Sequence, residues 1–186
     1  MRIIAGAARG RKIDAPQGAT RPTSDRAREG VFSTISSLFG ELDDLRVLDL
    51  YAGTGALGLE AASRGATSVD LIENDPKAVT VCRANIEKVG IPGVKVHALA
   101  VEKWLKQEVA PAPYDIVLID PPYSLANDRV EHVLELLVSQ GLLSERALVS
   151  VERESKSPAF AWPAGYVAER ERAYGLAIVR YASKDC

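Results

Sequence analysis

Little in this chain could hold it together covalently or through a metal. Its 186 residues include only two cysteines, Cys82 and Cys186, and two histidines, His97 and His132. The cysteines lie far apart, one at the very end, so no disulfide framework is visible, which suits a reducing compartment. Neither histidine has ligand-like company, and no metal is expected. No apolar run approaches the roughly 20 residues of a membrane span. The first residues lack the apolar core of a signal peptide. No internal repeat or low-complexity stretch stands out. These absences point away from a disulfide scaffold, a zinc module, a membrane protein and a solenoid, and towards a cytoplasmic protein, expected to act as a monomer.

What is present is ordinary in bulk and uneven in distribution. Apolar residues make up 47% and charged residues 26% of the chain, the balance of a globular protein, and the length favours one domain. The net charge of −2 hides an asymmetry. Residues 1–30 carry seven basic groups (Arg2, Arg9, Arg11, Lys12, Arg21, Arg26, Arg28) against Asp14, Asp25 and Glu29. That segment is 7 − 3 = +4, and the remainder is −2 − 4 = −6. A basic end on an acidic body suits either a polyanion partner or a solvated arm.

The apolar periods alternate along the chain. Residues 1–20 read as a basic extension folded as a small β-hairpin, and 21–186 as the main domain. "TSDRAREGVFSTISSLFG" (23–40) predicts a helix with Ala27, Val31, Ile35 and Leu38 on its inner face. Strands are then expected at 46–52, 67–75, 94–100, 114–120 and 147–154, with helices after the first four. The end differs: residues 166–183 predict two strands joined by a tight turn near Gly175. The fold class is therefore α/β, a doubly wound Rossmann-like arrangement. The sheet should be seven-stranded and mostly parallel, its last strand inserted antiparallel.

"DLYAGTGALGLE" (49–60) carries Gly53-x-Gly55-x-x-Gly58 at the end of the first core strand. Glu73 ends the next strand, where a carboxylate can take both ribose hydroxyls. So far NAD and S-adenosylmethionine fit alike. Three features separate them. Asp49, four residues before Gly53, suits a ligand with a sulfonium and an ammonium and opposes a pyrophosphate. The sheet ends in a hairpin. The fourth strand ends in Asp120-Pro121-Pro122-Tyr123. There the Asp120 carboxylate and the Pro121 carbonyl can accept the two hydrogens of an amino group attached to a ring. The prolines stiffen the loop without adding N–H donors, and Tyr123 offers a face for a base.

With those residues in hand, the chain resembles the RsmD-type methyltransferases, which modify the exocyclic N2 of a guanine in 16S ribosomal RNA. "RPTSDRAREGVFSTI" (21–35) is the most distinguishing stretch, supported by "RIIAGAARGRKI" (2–13), "VLDLYAGTGALGLEAASRGA" (47–66), "LIENDPKAV" (71–79) and "DPPY" (120–123). The resemblance implies a class I methyltransferase fold with S-adenosylmethionine as cofactor. Asp49, Tyr51, Gly53 and Gly55 would line the cofactor, Glu73 would hold its ribose and Asn74 would lie beside the adenine. Thr23 and Arg26 would border the pocket. Relatives often carry Asp or Asn after the third strand; Ala100 stands there here, leaving adenine recognition to backbone near Val101. The expected partner is 16S ribosomal RNA in the small subunit or its assembly intermediate, with Arg2, Arg9, Arg11, Lys12, Arg21, Arg26 and Arg28 reaching it.

Rival readings are a DNA adenine-N6 methyltransferase, an NAD-dependent oxidoreductase and a non-catalytic RNA-binding assembly protein. Trp104, Trp162, His97 and Cys82 read as packing residues. "ERERAY" (169–174) reads as a solvated strand face, with Arg170 or Arg172 near RNA as the alternative.

Overall fold

The computed structural model describes residues 1–15, 25–107 and 112–185. Along the chain these form α1 (Asp25–Phe39), β1 (Arg46–Leu50), α2 (Ala56–Ser63), β2 (Ser68–Glu73), α3 (Pro76–Val89) and β3 (Val94–Ala98). Then come α4 (Val101–Leu105), β4 (Tyr114–Ile119), α5 (Asn127–Ser139), β5 (Leu143–Glu154), β6 (Tyr166–Tyr174) and β7 (Ala177–Lys184). The strands make one seven-stranded sheet in the order β3-β2-β1-β4-β5-β7-β6. β1 to β5 run parallel, and β7 lies antiparallel between β5 and β6, as the terminal hairpin predicts. Gly175, with φ +64°, closes that hairpin.

Burial explains the central strands. Val47, Leu48 and Leu50 of β1 and Ile116, Val117, Leu118 and Ile119 of β4 are all at most 2% exposed. Such runs need cover on both faces, which βα crossovers provide. On one side, residues of β1, β4 and β5 pack with Val101, Trp104 and Leu105 of α4 and Val130, Val133, Leu134 and Leu137 of α5. On the other, Val31, Phe32 and Ile35 of α1 and Leu57, Ala61 and Ala62 of α2 pack against Val47, Leu118, Val179 and Tyr181. Leu38, expected on the inner face of α1, is instead 40% exposed; Phe32 and Arg28 fill that face.

α3 shows how local sequence sets an element. The Asp75 carboxylate accepts from the N–H groups of Lys77 and Ala78 at 2.8 and 2.9 Å, Pro76 occupies the first turn, and Gly90 at φ +60° ends the helix. β5 starts at Leu143, earlier than the apolar run at 147 suggests. Leu143 pairs with Tyr114 across a register shift, and the polar Ser144, Glu145 and Arg146 before the buried run hide the strand in the sequence.

The N-terminal hairpin forms around an Arg2–Lys12 bridge, with Ile3 N–H donating to the Arg11 carbonyl and Gly10 N–H to that of Ile3. It is docked. Ile3, Ala8 and Ile13 are buried against Ala56, Leu59 and Val89. The N–H groups of Ile4 and Ala5 donate to the Glu60 carboxylate at 2.7 and 3.0 Å. Among the described residues no helix is long and apolar enough to cross a membrane, and no cluster could hold a metal.

Candidate active site

The strand order reverses at β1. β2 and β3 lie to one side of it and β4 and β5 to the other, which opens a crevice at the carboxyl ends of β1 and β4. Leu50 pairs with Ile119, and Asp120 N–H donates to the Leu50 carbonyl at 3.4 Å. The glycine loop and the Asp120 loop are therefore held side by side.

Beyond β1 the chain turns sharply. Tyr51 has φ +62° and Gly53 φ +56°. A left-handed tyrosine is strained, and it brings the side chain to the wall of a cavity of about 300 Å³. A Cβ on Gly53 would meet nothing within 4 Å, so that glycine leaves its face open to a ligand. Gly58 does the reverse: a Cβ there would lie 2.2 Å from Leu71 Cδ2 and 3.2 Å from Asp49 Oδ2, so this glycine seats α2 on the sheet. Gly55, at φ +79°, begins α2.

Two carboxylates frame the loop. Glu73 Oε2 accepts from Gly53 N–H at 2.8 Å, while its Oε1 accepts from Asn74 and Asp75 N–H groups. Three of about four lone-pair sites are thus used to fix the group. Asp49 is 1% exposed; its Oδ2 accepts from Gly58 N–H at 2.9 Å, and its Oδ1 is buried with no partner among the described residues. Burial is the main cause that pushes its pKa up to about 8, opposed by the Gly58 bond and reinforced by the charges of Asp120 and Glu73. An unmatched buried acceptor in the strand that leads into this loop is what an ammonium- and sulfonium-bearing ligand would satisfy; neither Asp49 nor Gly53 is among the residues that line the cavity at Tyr51.

The cavity is lined by Tyr51, Ile72, Glu73, Asn74, Leu99, Ala100 and Val101, with Glu102, Pro122, Leu125 and Arg129 completing it. Most of its lining is apolar, the Glu73 carboxylate and an Arg129–Glu102 ion pair are among its polar groups, and it abuts the Asp120 loop through Pro122. Those features fit an adenosyl group. Ala100 does line it, so no side-chain carboxylate or amide is offered there. The Tyr51 hydroxyl is buried without a partner among the described residues, and burial raises its pKa to about 12; it remains a neutral donor.

β5 braces the Asp120–Tyr123 loop, which the sequence reading missed. Arg153, 2% exposed, donates to the carbonyls of Leu125 (2.6 Å) and Pro122 (3.4 Å). Leu125 N–H also donates to Pro122. On the other face Tyr123 OH lies 3.4 Å from Glu152 Oε1. The signal was a run of ionic residues directly after the buried Val149–Ser150–Val151 run, at the strand's carboxyl end.

The basic residues divide. Arg2, Arg9, Lys12 and Arg26 are exposed. Arg11 is exposed but donates to the Val89 carbonyl. Arg28, expected to reach RNA, has no exposed surface: it donates to the Arg2 carbonyl (2.7 Å) and Asp25 (2.8 Å), with Glu60 3.9 Å away. It ties the hairpin to α1 and has no route to a phosphate. Thr23 and Arg21 lie outside the described residues. Cys82 is fully buried, and His97 pairs with Asp70 at 2.7 Å and lies tilted against the Trp104 ring, all as packing residues.

Comparison with known proteins places these features in a family. The family model described as "Conserved hypothetical protein 95" matches residues 1–183. The chain is 33% identical over 186 residues to the ribosomal RNA small subunit methyltransferase D of Escherichia coli, covering 100% of this chain and 90% of that protein. A solved methyltransferase structure from Escherichia coli superposes with a TM-score of 0.87 at 32% identity, covering 100% and 98% of the two chains. An RNA methyltransferase from Salinibacter ruber, solved in complex with S-adenosyl-L-homocysteine, has a TM-score of 0.65 at 17% identity over 88% and 94%, a likeness of fold.

Proposed function

Since the chain belongs to the conserved hypothetical protein 95 family, the RsmD-type methyltransferases of its full-length relatives, we propose that it methylates the exocyclic N2 of a guanine in 16S ribosomal RNA. The chain is an S-adenosylmethionine-dependent methyltransferase. The observation that supports transfer to an amino group is the adjacency of the two loops: an unmatched Asp49 oxygen and an open Gly53 face beside a cavity, and next to them Asp120 and Pro121; the choice of small-subunit RNA rests on the full-length relatives.

When bound, the cofactor supplies an electrophilic methyl group on its sulfonium. The protein's residues do the rest by placement. Asp49 offers a buried oxygen to the ammonium end. Glu73, immobilised by three N–H donors, presents its remaining lone pair to the ribose diol. The Asp120 carboxylate and the Pro121 carbonyl accept the amino hydrogens, which withdraws the nitrogen lone pair from the ring and directs it at the methyl. As the bond to nitrogen forms and the methyl's bond to sulfur breaks, with S-adenosylhomocysteine as the leaving group, positive charge would develop on nitrogen next to Asp120, which stabilises it, and the proton would pass to Asp120 or to water. Arg153 holds the Pro122 and Leu125 carbonyls and keeps this loop in register. Exposed Arg2, Arg9 and Lys12 supply phosphate contacts. The protein works as a monomer without a metal, on the small subunit or its assembly intermediate.

Labelled-methyl transfer to unmodified small subunits, naked 16S RNA and DNA, followed by mapping of the modified base, tests the reading. Transfer to guanine N2 is expected, and modification of adenine N6 would replace it with the DNA-type reading. Asp120→Ala should lower kcat by roughly 10²–10³ and leave RNA binding intact. Normal turnover in that variant would remove Asp120 from the chemistry.

A further inference from the structure

We propose that the sheet edge on the α1 side, built from Arg170 and Arg172 of β6 together with Arg26 of α1, is a second docking surface for the RNA sugar–phosphate backbone. It would hold the strand that flanks the nucleotide whose base enters the crevice. The proposal rests on the RNA-methylating reading above.

β6 is the edge strand and is exposed from Val167 to Ala173. Period-two alternation sorts its charges. Arg170 pairs with Tyr181 and Arg172 with Val179, and both partners belong to the cluster beneath α1. Tyr174, two residues on, lies so close to α1 that a Cβ on Gly30 would fall 2.2 Å from its ring. Arg170, Arg172 and Tyr174 therefore share the α1 side. Arg26 is exposed one helical turn before Gly30, on the same side of the helix. The acids of β6 are engaged elsewhere, while Glu29 of α1, three residues after Arg26, is exposed. Glu171 falls on the opposite side and accepts from Arg180 at 3.2 Å. Glu169, at the register shift between Ala168 and Arg170, accepts from Ser183 at 2.8 Å.

Register fixes where this strip stands relative to the chemistry. Ile119 pairs with Val151, Glu152 with Val179, and Val179 with Arg172. Arg172 thus lies in the row of Asp120, three strands away. At about 4.8 Å per strand the two Cα atoms are roughly 14 Å apart, and a long side chain shortens that gap. A strand of RNA whose base sits on Asp120 must leave the crevice over one wall, and this wall carries the arginines. Guanidinium groups suit phosphate through paired donors. Since residues 31–186 are net acidic, a local cluster of exposed arginines there is not a reflection of overall charge.

The test is binding of unmodified small subunits by the full chain across a salt series, for wild type, the Arg170→Ala/Arg172→Ala double variant, and Arg146→Ala. Arg146 is exposed near the start of β5, at the opposite end of the sheet. Each single-strand phosphate contact adds about 0.7 to the slope of log K against log salt, so the double variant should lose roughly 1.4 and bind about tenfold or more weakly at low salt. Its kcat at saturation and its affinity for S-adenosylhomocysteine should match wild type. An unchanged slope in the folded double variant, or an equal loss in Arg146→Ala, overturns the proposal. Absence of methyl transfer by wild type would strike the functional reading instead, because the binding series does not depend on turnover.

Discussion

A buried carboxylate with one oxygen unmatched makes Asp49 a proton-linked binding group. Its folded pKa, about 8 because of burial, is above the ordinary carboxylate value near 3.9. Between those two values the folded, cofactor-free protein keeps the proton and the unfolded chain does not, so this group's contribution to stability falls as pH rises through that window. A cationic ligand reverses the preference, since it favours the carboxylate. Binding below pH 8 must then release a proton from Asp49, and affinity for S-adenosylmethionine should rise by up to tenfold per pH unit towards about 8, then fall where the ligand's own α-amino group, ordinarily near about 7.7–8.0, loses its charge. Calorimetry in buffers of different ionisation enthalpy would count the proton. Asp49→Asn should bind more weakly with a flat profile; a flat profile in wild type would show that Asp49 is already ionised. None of this needed the structure to name the residue. Asp49 was legible from its spacing to Gly53, whereas its degree of burial was not.

At the scale of elements, the seating of α2 on β1 and β2 decides whether the glycine loop is held. Gly58 has no room: Leu71 and Val69 side chains lie 2.2 and 3.0 Å from where a Cβ would stand. Gly58→Ala should cost about 1–3 kcal/mol through overpacking, read by denaturant unfolding, and should weaken cofactor binding because the Asp49 bond to Gly58 N–H shifts with it. Gly53→Ala meets no atom but must adopt φ +56°, so it should weaken binding with a smaller stability loss. The order of elements was readable because the central strands are rich in Val, Ile and Leu and α1, α3 and α5 carry a 3.6-residue period; α2, buried all round, was marked instead by its flanking glycines. The start of β5 was hidden by Ser144, Glu145 and Arg146, because a strand that extends across a register shift leaves no alternation to read. The brace from Arg153 to the Asp120 loop was hidden for another reason. It joins residues 28 and 31 apart in sequence, and composition says nothing about such pairing.

For the molecule as a whole, the basic first segment proves to be part of the core as well as a charged face. A charge count could not distinguish these, and Arg28 shows why. It belongs to the basic run, yet it is enclosed by Asp25, Glu60 and the Arg2 carbonyl, contacts that only the fold creates. Two variants separate the roles. Neutralising the exposed Arg2, Arg9 and Lys12 to Gln should leave the melting temperature within a few degrees and lower affinity for small subunits with a shallower salt slope. Deleting residues 1–14 should do more. It strips Ile3, Ala8 and Ile13 from Ala56, Leu59 and Val89 and removes two N–H donors from the buried Glu60. It also takes away Asp14, whose N–H and carbonyl bond the Asn85 amide that in turn donates to Thr54 of the glycine loop. Burial of two isoleucines alone is worth roughly 3–6 kcal/mol, and at this chain length each kcal/mol moves the midpoint by about 2–4 °C. The truncated protein should therefore melt on the order of 10 °C lower, with weaker cofactor binding too. Were it to melt with the full chain and bind the cofactor equally well, the hairpin would be a detachable arm and its packing against α2 and α3 energetically idle.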